Sequence, residues 1–366
     1  MKSKTIYRFI FAGGGTGGHL YPALAVAQQI RELIPESEIL FVGAKNKIEE
    51  RVVPEYNFDF KSIWISGFTR RLTVSNLLFP VKLVVAMIQS LLIVLKFKPR
   101  VAIGSGAYVS GPVIWASSII GSKIVLLEQN SYPGITNRLL EKKANEIHIT
   151  FEESKKYFRE KSKLILSGNP IRINLKLIDK VEARRTFGLD DNKKTILIFG
   201  GSGGAKTLNH AVAKSLDKLI QNDIQVLWQT GKVYFQEFKK YSQKNVKVLE
   251  YINDMSSAYS ACDLVIARAG ATTIAEVSLL GLPVIFVPSS NVAANHQYKN
   301  AKALVDENAA ELIEDDKIED KFYETVISLL NNQIRLDEIS NNIKKFSKPD
   351  AALNIAKSLI HLSEIL

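Results

Sequence analysis

Residues 12–27, AGGGTGGHLYPALAVA, decide the fold of this chain. An apolar run at 6–11 precedes the stretch and an alanine-rich helical pattern follows it, which predicts a strand, a glycine loop and a helix. Glycines at five of the six positions 13–18 let a phosphate or sugar approach backbone N–H groups at the positive end of that helix. The loop fits G-x-G-x-x-G and leads directly into His19, so a bound ligand is favoured over a simple turn.

A dinucleotide site would need one more feature, an acidic residue at the end of the second strand to bind the ribose hydroxyls. Here the predicted second strand, 38–42, leads into Gly43, Ala44 and Lys45. The missing acid argues against NAD, although Lys45 leaves an NADP site open.

The composition is that of an ordinary folded protein, and 366 residues predict roughly two domains. A net charge of +11 indicates an anionic partner, which is nucleic acid, acidic lipid or a phosphorylated substrate. The single cysteine, Cys262, excludes a disulfide framework and indicates a reducing compartment. Arg8 interrupts the first apolar run, which favours a first strand over a signal peptide.

Short apolar runs alternate with helical segments in both halves, and this pattern predicts parallel sheets covered by helices. The second half repeats the opening plan, with a strand and then the glycine loop 200–205. Two doubly wound α/β domains facing a ligand cleft are therefore expected. The predicted strands are 6–11, 38–42, 60–65, 101–104, 123–127, 146–150 and 164–167 in the first half, and 195–199, 224–229, 246–249, 263–267 and 283–287 in the second.

The predicted domains are an N-terminal domain at 1–168, a C-terminal domain at 169–349 and a final helix at 350–366, because an Asn-Pro pair breaks the pattern after residue 168. The loop 200–205 nearly makes a Walker A motif. Ala205 stands where that motif has a glycine before its lysine, which argues against a P-loop NTPase.

The densest polar constellation of the second half begins at 268–273, RAGATT, which opens a predicted helix. Thr272 or Thr273 can cap that helix, and its free N–H groups suit a diphosphate. Glu276 lies one turn further and can accept two ribose hydroxyl bonds; the alternative is that it only stabilises the helix dipole. The polar residues 295–297 return after the next strand.

The stretch 77–95 is strongly apolar and has basic flanks at 70–71 and 96–100. Polar residues interrupt it, so a membrane-spanning helix is not expected. Two interpretations stay level: a buried helix whose apolar residues mostly face the sheet, and a helix with an exposed part in an anionic membrane interface. The charged segment 152–163 favours a solvated helix over a nucleic-acid patch, because it lacks interleaved aromatic residues.

Eight motifs, in order along nearly the whole chain, resemble those of the GT-B glycosyltransferases, and among them the N-acetylglucosaminyltransferases of peptidoglycan synthesis. Two positions depart from that family's pattern, since Ala107 replaces a usual glycine and Gly203 a usual glutamine. The motifs are GGGTGGHLYPALAVA, GSGAYVSGP, EQNSYPGITNRLL, GNPIR, GGSGGAKTLN, YINDMSSAY, ARAGATTIAEV and NHQYKNA.

The resemblance implies a UDP-GlcNAc site without a cofactor or metal ion, in agreement with the scattered histidines and the lack of a D-x-D pair. Ser202 would contact the phosphates, the Ile252 backbone the uracil, residues 271–276 the phosphate and ribose, and Gln297 the sugar. The implied binding residues are Thr16, Gly17, Gly18, Asn130, Arg172, Ser202, Ile252, Ala271, Thr272, Thr273, Ile274, Ala275, Glu276 and Gln297.

The reaction that the resemblance implies is inverting transfer of GlcNAc to the 4-hydroxyl of MurNAc-pentapeptide on undecaprenyl diphosphate, which converts lipid I to lipid II. Direct displacement needs a base at the nucleophile and stabilisation of the leaving UDP. His19 is the candidate base, because imidazole titrates near neutral pH. The alternative role, weighed evenly, is that His19 orients the loop or binds the acceptor diphosphate.

A lipid-linked acceptor implies peripheral binding to an anionic membrane surface, at the cytoplasmic face of the inner membrane, through 68–82 and nearby apolar residues; nucleic acid is not an expected partner. The amphipathic tail, 350–366, would pack back across the interdomain cleft toward the N-terminal domain, as in the fold family. The competing functions are another GT-B enzyme acting on a different lipid, a UDP-sugar 2-epimerase and, more remotely, an NAD(P)-dependent oxidoreductase or a nucleotide-binding module without catalysis.

Overall fold

The computed structural model describes residues 7–67, 78–172, 174–290 and 295–365. The chain forms two compact units. The first contains 1–173 together with 348–366, and the second contains 174–347. Within the first unit, the final segment starts close to Gly168, since a Cβ on Gly168 would lie 2.4 Å from Lys348 Cβ.

The first unit is built on a parallel sheet of seven strands in the order β3-β2-β1-β4-β5-β6-β7. The central strands are almost completely buried, because helices cover both faces of a parallel sheet. The strands are β1 (Arg8–Ala12), β2 (Glu38–Ala44), β3 (Asp59–Ile63), β4 (Val101–Gly104), β5 (Lys123–Glu128), β6 (Glu146–Ile149) and β7 (Leu164–Leu166).

Alternate side chains of β1 divide the core of this unit into two layers. Phe9 and Phe11 belong to one cluster, whereas Ile10 and Ala12 belong to the other. The described helices that connect the strands are α1 (Gly17–Leu33), α2 (Ile48–Glu55), α3 (Phe79–Phe97), α4 (Ala107–Ile119) and α5 (Ile135–Leu140).

Helix α3 packs along α4 through one narrow face and leaves the opposite face exposed. Its buried residues are Ala86, Ser90 and Val94, spaced one helical turn apart. Leu83, Leu91, Ile93 and Phe97 are half-buried against the core cluster that contains Ile10 and Ala12, so the buried and the exposed interpretations each describe one face of this helix. We call the exposed residues the α3 stripe; they are Val81, Val84, Ile88, Leu92 and Leu95, each between 48% and 63% exposed.

By length and composition alone, α3 is long and apolar enough to cross a membrane, and it is the one such helix among the described residues. The sequence led us to expect no such helix. Its packing against α4 is typical of a helix that lies along the unit.

The second unit contains a parallel sheet of six strands in the order β10-β9-β8-β11-β12-β13. Its strands are β8 (Thr195–Phe199), β9 (Gln225–Gln229), β10 (Val246–Leu249), β11 (Leu264–Ala267), β12 (Val284–Phe286) and β13 (Glu311–Leu312). Its described helices are α6 (Lys180–Thr186), α7 (Lys206–Gln221), α8 (Phe235–Phe238), α9 (Met255–Ala261), α10 (Ala271–Leu280), α11 (His296–Val305), α12 (Ile318–Leu330) and α13 (Gln333–Ile343).

The last helix, α14 (Ala351–Glu364), packs against α1 in the first unit. Its apolar face joins the same core cluster as Phe9 and Phe11, through Ile355, Leu359 and Leu362. This is the physical reason why the two ends of the chain share one compact unit.

Every predicted strand is present, with ends displaced by at most two residues. The sequence missed only β13 among the described strands. A strand of two residues is too short to show any periodicity.

Candidate active site

The first glycine loop connects β1 to α1 and is held closely on several sides. A Cβ on Gly13 would lie 1.8 Å from Ser105 Oγ, so the loop approaches the end of β4 more closely than any side chain allows. Gly15 has a φ of 75°, a left-handed conformation that favours glycine. The predicted ligand contacts Thr16 and Gly18 are exposed at the mouth of this loop.

The carboxylate of Glu49 lies beneath this loop and is almost fully buried. Its Oε2 accepts a hydrogen bond from Gly15 N at 2.8 Å, and its Oε1 accepts one from Ala44 N at 3.0 Å. An acid therefore does meet the loop near the end of β2, although the sequence pattern placed none there. Both of its oxygens are used by backbone N–H groups.

His19 lies in the first turn of α1, and its Nδ1 is 3.1 Å from Gln129 Oε1 at the end of β5. An amide oxygen only accepts hydrogen bonds, so this contact places the proton of neutral His19 on Nδ1. The lone pair is then on Nε2. Gly106, with a φ of 99°, leaves room for the ring, because a Cβ there would lie 2.9 Å from Nδ1.

The loop that carries Asn130 is folded around the buried carboxylate of Glu128. That carboxylate accepts hydrogen bonds from Asn130 N at 3.0 Å, Gly134 N at 2.9 Å and Asn137 Nδ2 at 2.9 Å. Burial raises the pKa of Glu128, although these bonds and the nearby His19 oppose the rise. Asn130 is thus held in the loop that follows β5, next in sequence to Gln129, the partner of His19.

Arg172 also lies in the first unit, with its guanidinium carbon 5.3 Å from the centre of the Tyr21 ring on α1. The contact is a cation–π interaction. It holds this basic side chain near the first turns of α1, on which Gly17, Gly18 and His19 also lie.

The second glycine loop, 200–205, packs backbone to backbone against the end of β9. A Cβ on Gly204 would lie 2.0 Å from Thr230 O, and one on Gly231 would lie 2.2 Å from Gly204 N. Ser202 is exposed at the tip of the loop. A Cβ on Gly203 would meet nothing within 4 Å, so the loop has room for the glutamine that is usual at this position in the family.

Gln229 joins this loop to Ile252. Its Nε2 donates to Gly201 O at 3.1 Å, and its Oε1 accepts from Ile252 N at 2.8 Å. Because the Ile252 N–H is used in this way, the carbonyl is the backbone group of Ile252 that suits the N3–H of a uracil.

Helix α10 begins at Ala271 with Gly270 as its N-cap and without a side-chain capping bond. The prediction that Thr272 or Thr273 caps the helix is therefore wrong; both lie inside its first turn, which also contains Ile274. Ala275 and Glu276 follow. The Glu276 carboxylate is buried, and its Oε2 accepts a hydrogen bond from the buried Tyr259 hydroxyl at 2.8 Å.

A buried ion pair lies behind these elements. Arg268, which follows β11, donates from Nη1 to Asp315 Oδ1 at 2.7 Å and from Nη2 to Thr207 Oγ1 at 2.7 Å. Thr207 and Ser290 also donate to the Asp315 carboxylate, at 2.5 and 3.1 Å. The network links the start of α7, the segment before α10 and the segment after β12.

Gln297 lies in the first turn of α11, and its Oε1 accepts a hydrogen bond from Ser289 N at 2.9 Å. Its amide NH₂ is the part of the side chain suited to donate to a sugar hydroxyl. Within the described parts of the chain, no group of three or more His, Cys, Asp or Glu side chains could hold a metal ion.

Each unit matches a domain model of one known family. The family model for the glycosyltransferase family 28 N-terminal domain matches residues 9–149, and the model for the C-terminal domain of that family matches residues 195–355. A relative from Flavobacterium psychrophilum is 45% identical over 98% of each chain. The chain belongs to glycosyltransferase family 28. Membership of this family argues against the dinucleotide-dependent oxidoreductase considered from the sequence.

The Flavobacterium relative of this family 28 chain is named UDP-N-acetylglucosamine–N-acetylmuramyl-(pentapeptide) pyrophosphoryl-undecaprenol N-acetylglucosamine transferase. The crystal structure of Acinetobacter baumannii MurG is 27% identical, with a TM-score of 0.75, and the match covers 97% of this chain and 99% of that one. The predicted GT-B fold is thereby confirmed.

A UDP-N-acetylglucosamine 2-epimerase also matches this family 28 chain, over 99% of this chain and 98% of that one, with a TM-score of 0.68. At 13% identity this likeness concerns the fold alone. The epimerase therefore shares the GT-B architecture, which the sequence analysis expected for a glycosyltransferase and for a UDP-sugar 2-epimerase alike.

Sequence reasoning missed the side chains that hold the predicted site residues of this family 28 chain in place. Only Gln129 had a signal, because it lies inside the EQN motif. The others reach Gly15, Ile252, Glu276 and Arg268 across 34, 23, 17 and 47 residues respectively, where no local pattern connects them. They are Glu49, Gln229, Tyr259 and Asp315.

Proposed function

We infer that this chain transfers GlcNAc from UDP-GlcNAc to the 4-hydroxyl of MurNAc-pentapeptide on undecaprenyl diphosphate, the lipid I to lipid II step of peptidoglycan synthesis. The observation that carries this conclusion is the 45% identity, over 98% of both chains, to a relative named for that transfer. The reaction inverts the anomeric carbon and needs no covalent enzyme intermediate.

In this proposal the second unit binds the donor. The first-turn N–H groups of α10, in residues 271–276, suit the diphosphate, and Ser202 adds a hydroxyl donor from the second glycine loop. The buried carboxylate of Glu276 accepts the ribose hydroxyls, and the Ile252 carbonyl accepts from uracil. Gln297 donates to the GlcNAc hydroxyls through its amide NH₂.

The first unit supplies further contacts and the base. Thr16, Gly17 and Gly18 are backbone and hydroxyl donors at the mouth of the first loop, and Asn130 and Arg172 are polar groups held near the same end of α1. Their proposed partners are the sugar nucleotide and the anionic groups of the acceptor.

His19 is the proposed general base. The Nδ1 contact with Gln129 supports this role, since it leaves the lone pair on Nε2, which would take the proton of the acceptor hydroxyl. The hydroxyl oxygen forms the new bond to the anomeric carbon while UDP takes the bonding electrons. The positive end of α10 stabilises the charge that develops on the leaving UDP.

The decisive assay is transfer of radiolabelled GlcNAc from UDP-GlcNAc to synthetic lipid I. We expect lipid II to form, and His19→Ala to lower kcat by about 10²-fold if His19 is the base. A His19→Ala enzyme within about threefold of wild type would remove that role. Conversion of UDP-GlcNAc without lipid I would indicate the epimerase, and transfer to another lipid alone would indicate a different acceptor.

We also propose that the first unit binds the cytoplasmic face of the inner membrane peripherally, through anionic lipid. The α3 stripe supports this proposal as a row of exposed apolar residues that can enter a membrane interface. Trp64, 49% exposed, lies beside it with Lys82 Nζ 5.9 Å from its ring, and Lys96 and Lys98 are exposed at the other end of α3. Of the predicted segment 68–82, residues 68–77 lie outside the described part of the chain.

Flotation with vesicles containing phosphatidylglycerol tests this surface. We expect Ile88→Asp combined with Leu92→Asp to lower the bound fraction, because charged groups enter an interface poorly. Charge reversal of Arg70 and Arg71 should do the same. Ile334→Asp is the matched control, since Ile334 is 84% exposed in the second unit. Unchanged flotation of the α3 variant would contradict the proposal.

A further inference from the structure

We propose that Glu49 is an internal anion that fills the place of a ligand phosphate at Gly15 and thereby positions the loop that carries His19. This assignment rests on the proposed function, because its consequence is measured in the transfer reaction. It makes Glu49 a positioning residue that acts through backbone contacts.

The hydrogen bonds define the anion position. The N–H of Gly15 precedes the N-cap of α1, where glycine loops of this type offer backbone donors and a positive helix end to an anion. Here that N–H donates to Glu49 Oε2 at 2.8 Å. The second oxygen of the same carboxylate accepts from Ala44 N at the end of β2, so the side chain ties two adjacent strand ends together.

The glycines around Glu49 are shaped to this side chain. A Cβ on Gly14 would lie 2.3 Å from Glu49 Cδ, and a Cβ on Gly43 would lie 2.3 Å from Glu49 Cγ. Both glycines therefore make room for the Glu49 side chain. Glu49 lies in the first turn of α2 and is 1% exposed, and its side chain extends from that helix to the loop.

A neighbouring phenol responds to the same carboxylate. Tyr108 packs near Gly15, with its hydroxyl oxygen 3.8 Å from the position of a Cβ there. Burial raises the pKa of Tyr108, and the charge of Glu49 raises it further. The phenol of Tyr108 therefore lies within the electrostatic reach of the Glu49 carboxylate, at the edge of the loop.

The Glu49 carboxylate limits what this loop can bind. A phosphate seated at Gly15 would compete with a carboxylate that is already hydrogen-bonded there, and the two negative charges would repel one another. The loop is therefore closed to a phosphate at this position, and its exposed part presents Thr16, Gly18 and His19 instead. In this way a phosphate-type loop serves as a rigid support for a catalytic side chain.

Chemical rescue tests the internal anion. We expect Glu49→Ala to lower kcat for lipid II formation by about 10²-fold, the cost of a displaced catalytic group. Added formate or acetate should restore a large part of this loss, whereas formamide and acetamide, which have the same shape without the charge, should not. The Kd for UDP should change much less than kcat, because the contacts proposed for the uracil, for the ribose and for the phosphates at Ser202 lie in the second unit.

Two further variants keep the test decisive if Glu49→Ala folds poorly. Glu49→Gln preserves volume, and its amide can accept from only one of the two N–H groups, so we expect kcat to fall about tenfold. Glu50→Gln is the matched control, since Glu50 lies on the same helical turn and accepts from Asn46 N at 2.6 Å, away from the loop.

Wild-type turnover in Glu49→Gln, rescue by formamide as good as by formate, or no rescue by either anion in a folded Glu49→Ala would overturn the proposal. These results are distinct from failure of the proposed function, in which the wild-type chain itself would not make lipid II.

Discussion

Replacing Asp315 with alanine should destabilise the second unit more than any surface substitution, because it leaves the Arg268 guanidinium buried without its carboxylate. The two side chains are 11% and 6% exposed, with a distance of 2.7 Å between Arg268 Nη1 and Asp315 Oδ1. Breaking a buried ion pair by removing one partner costs about 3–5 kcal/mol. Arg268 would keep Val287 O and Thr207 Oγ1 as acceptors, so we expect a loss near the lower end of this range.

The remaining partners of Asp315 determine which of its variants loses more stability. The hydroxyls of Thr207 and Ser290 also lose an acceptor in Asp315→Ala. Asp315→Asn retains one acceptor oxygen and loses the charge, and we expect a loss of about 1–2 kcal/mol. Because the network joins the start of α7 to the segments before α10 and after β12, both variants should also raise the KM for UDP-GlcNAc.

The pH dependence provides an independent check. Burial alone would raise the pKa of Asp315, but the hydrogen bonds from Thr207 and Arg268 outweigh it and hold the pKa below its ordinary 3.8. The carboxylate is therefore easier to protonate in the unfolded chain. Its contribution to stability is fully present above pH 4 and is lost as the pH falls through the lower folded-state value. Asp315→Asn should weaken this acid dependence.

Urea unfolding followed by far-UV circular dichroism and tryptophan fluorescence measures the free-energy differences. Glu319→Gln is the control, since Glu319 pairs with Lys214 at 3.6 Å on the surface and should change the free energy of unfolding by less than about 1 kcal/mol. An Asp315→Ala chain within about 1 kcal/mol of wild type would refute the reasoning about the buried pair.

Three further predictions follow from single contacts. Tyr259→Phe removes the 2.8 Å bond to Glu276, so the KM for UDP-GlcNAc should rise about five- to tenfold. The rise should be smaller for a donor whose ribose lacks the 2′-hydroxyl. Equal effects on both donors would count against an indirect role of Tyr259 in ribose binding. Ala107→Gly should raise the free energy of unfolding by about 0.5–1 kcal/mol, because Ala107 has a φ of 61°, and a lower midpoint in urea would contradict this. Burial raises the pKa of Cys262 to about 12, so a thiol reagent at pH 8 should label it only after unfolding; rapid labelling of the native chain would show that the thiol is accessible.

The sequence alone determined the plan of both sheets. Strand and helix periodicities are local, and in a parallel α/β unit they are strong, because each buried strand is a continuous apolar run between helices. The glycine loops were visible for the same reason, since their conformations are set within a few residues. His19 and Glu276 could be found because each directly follows such a loop or helix start.

Tertiary structure decided how those residues are held and which surfaces remain exposed. Glu49 reaches Gly15 across 34 residues, and Gln129 reaches His19 across 110. The apolar run of α3 was equally compatible with a buried and an exposed helix until its packing against α4 separated the two faces. A residue type and its spacing limit what a side chain can do, whereas its partner depends on which strand ends the folded sheet brings side by side.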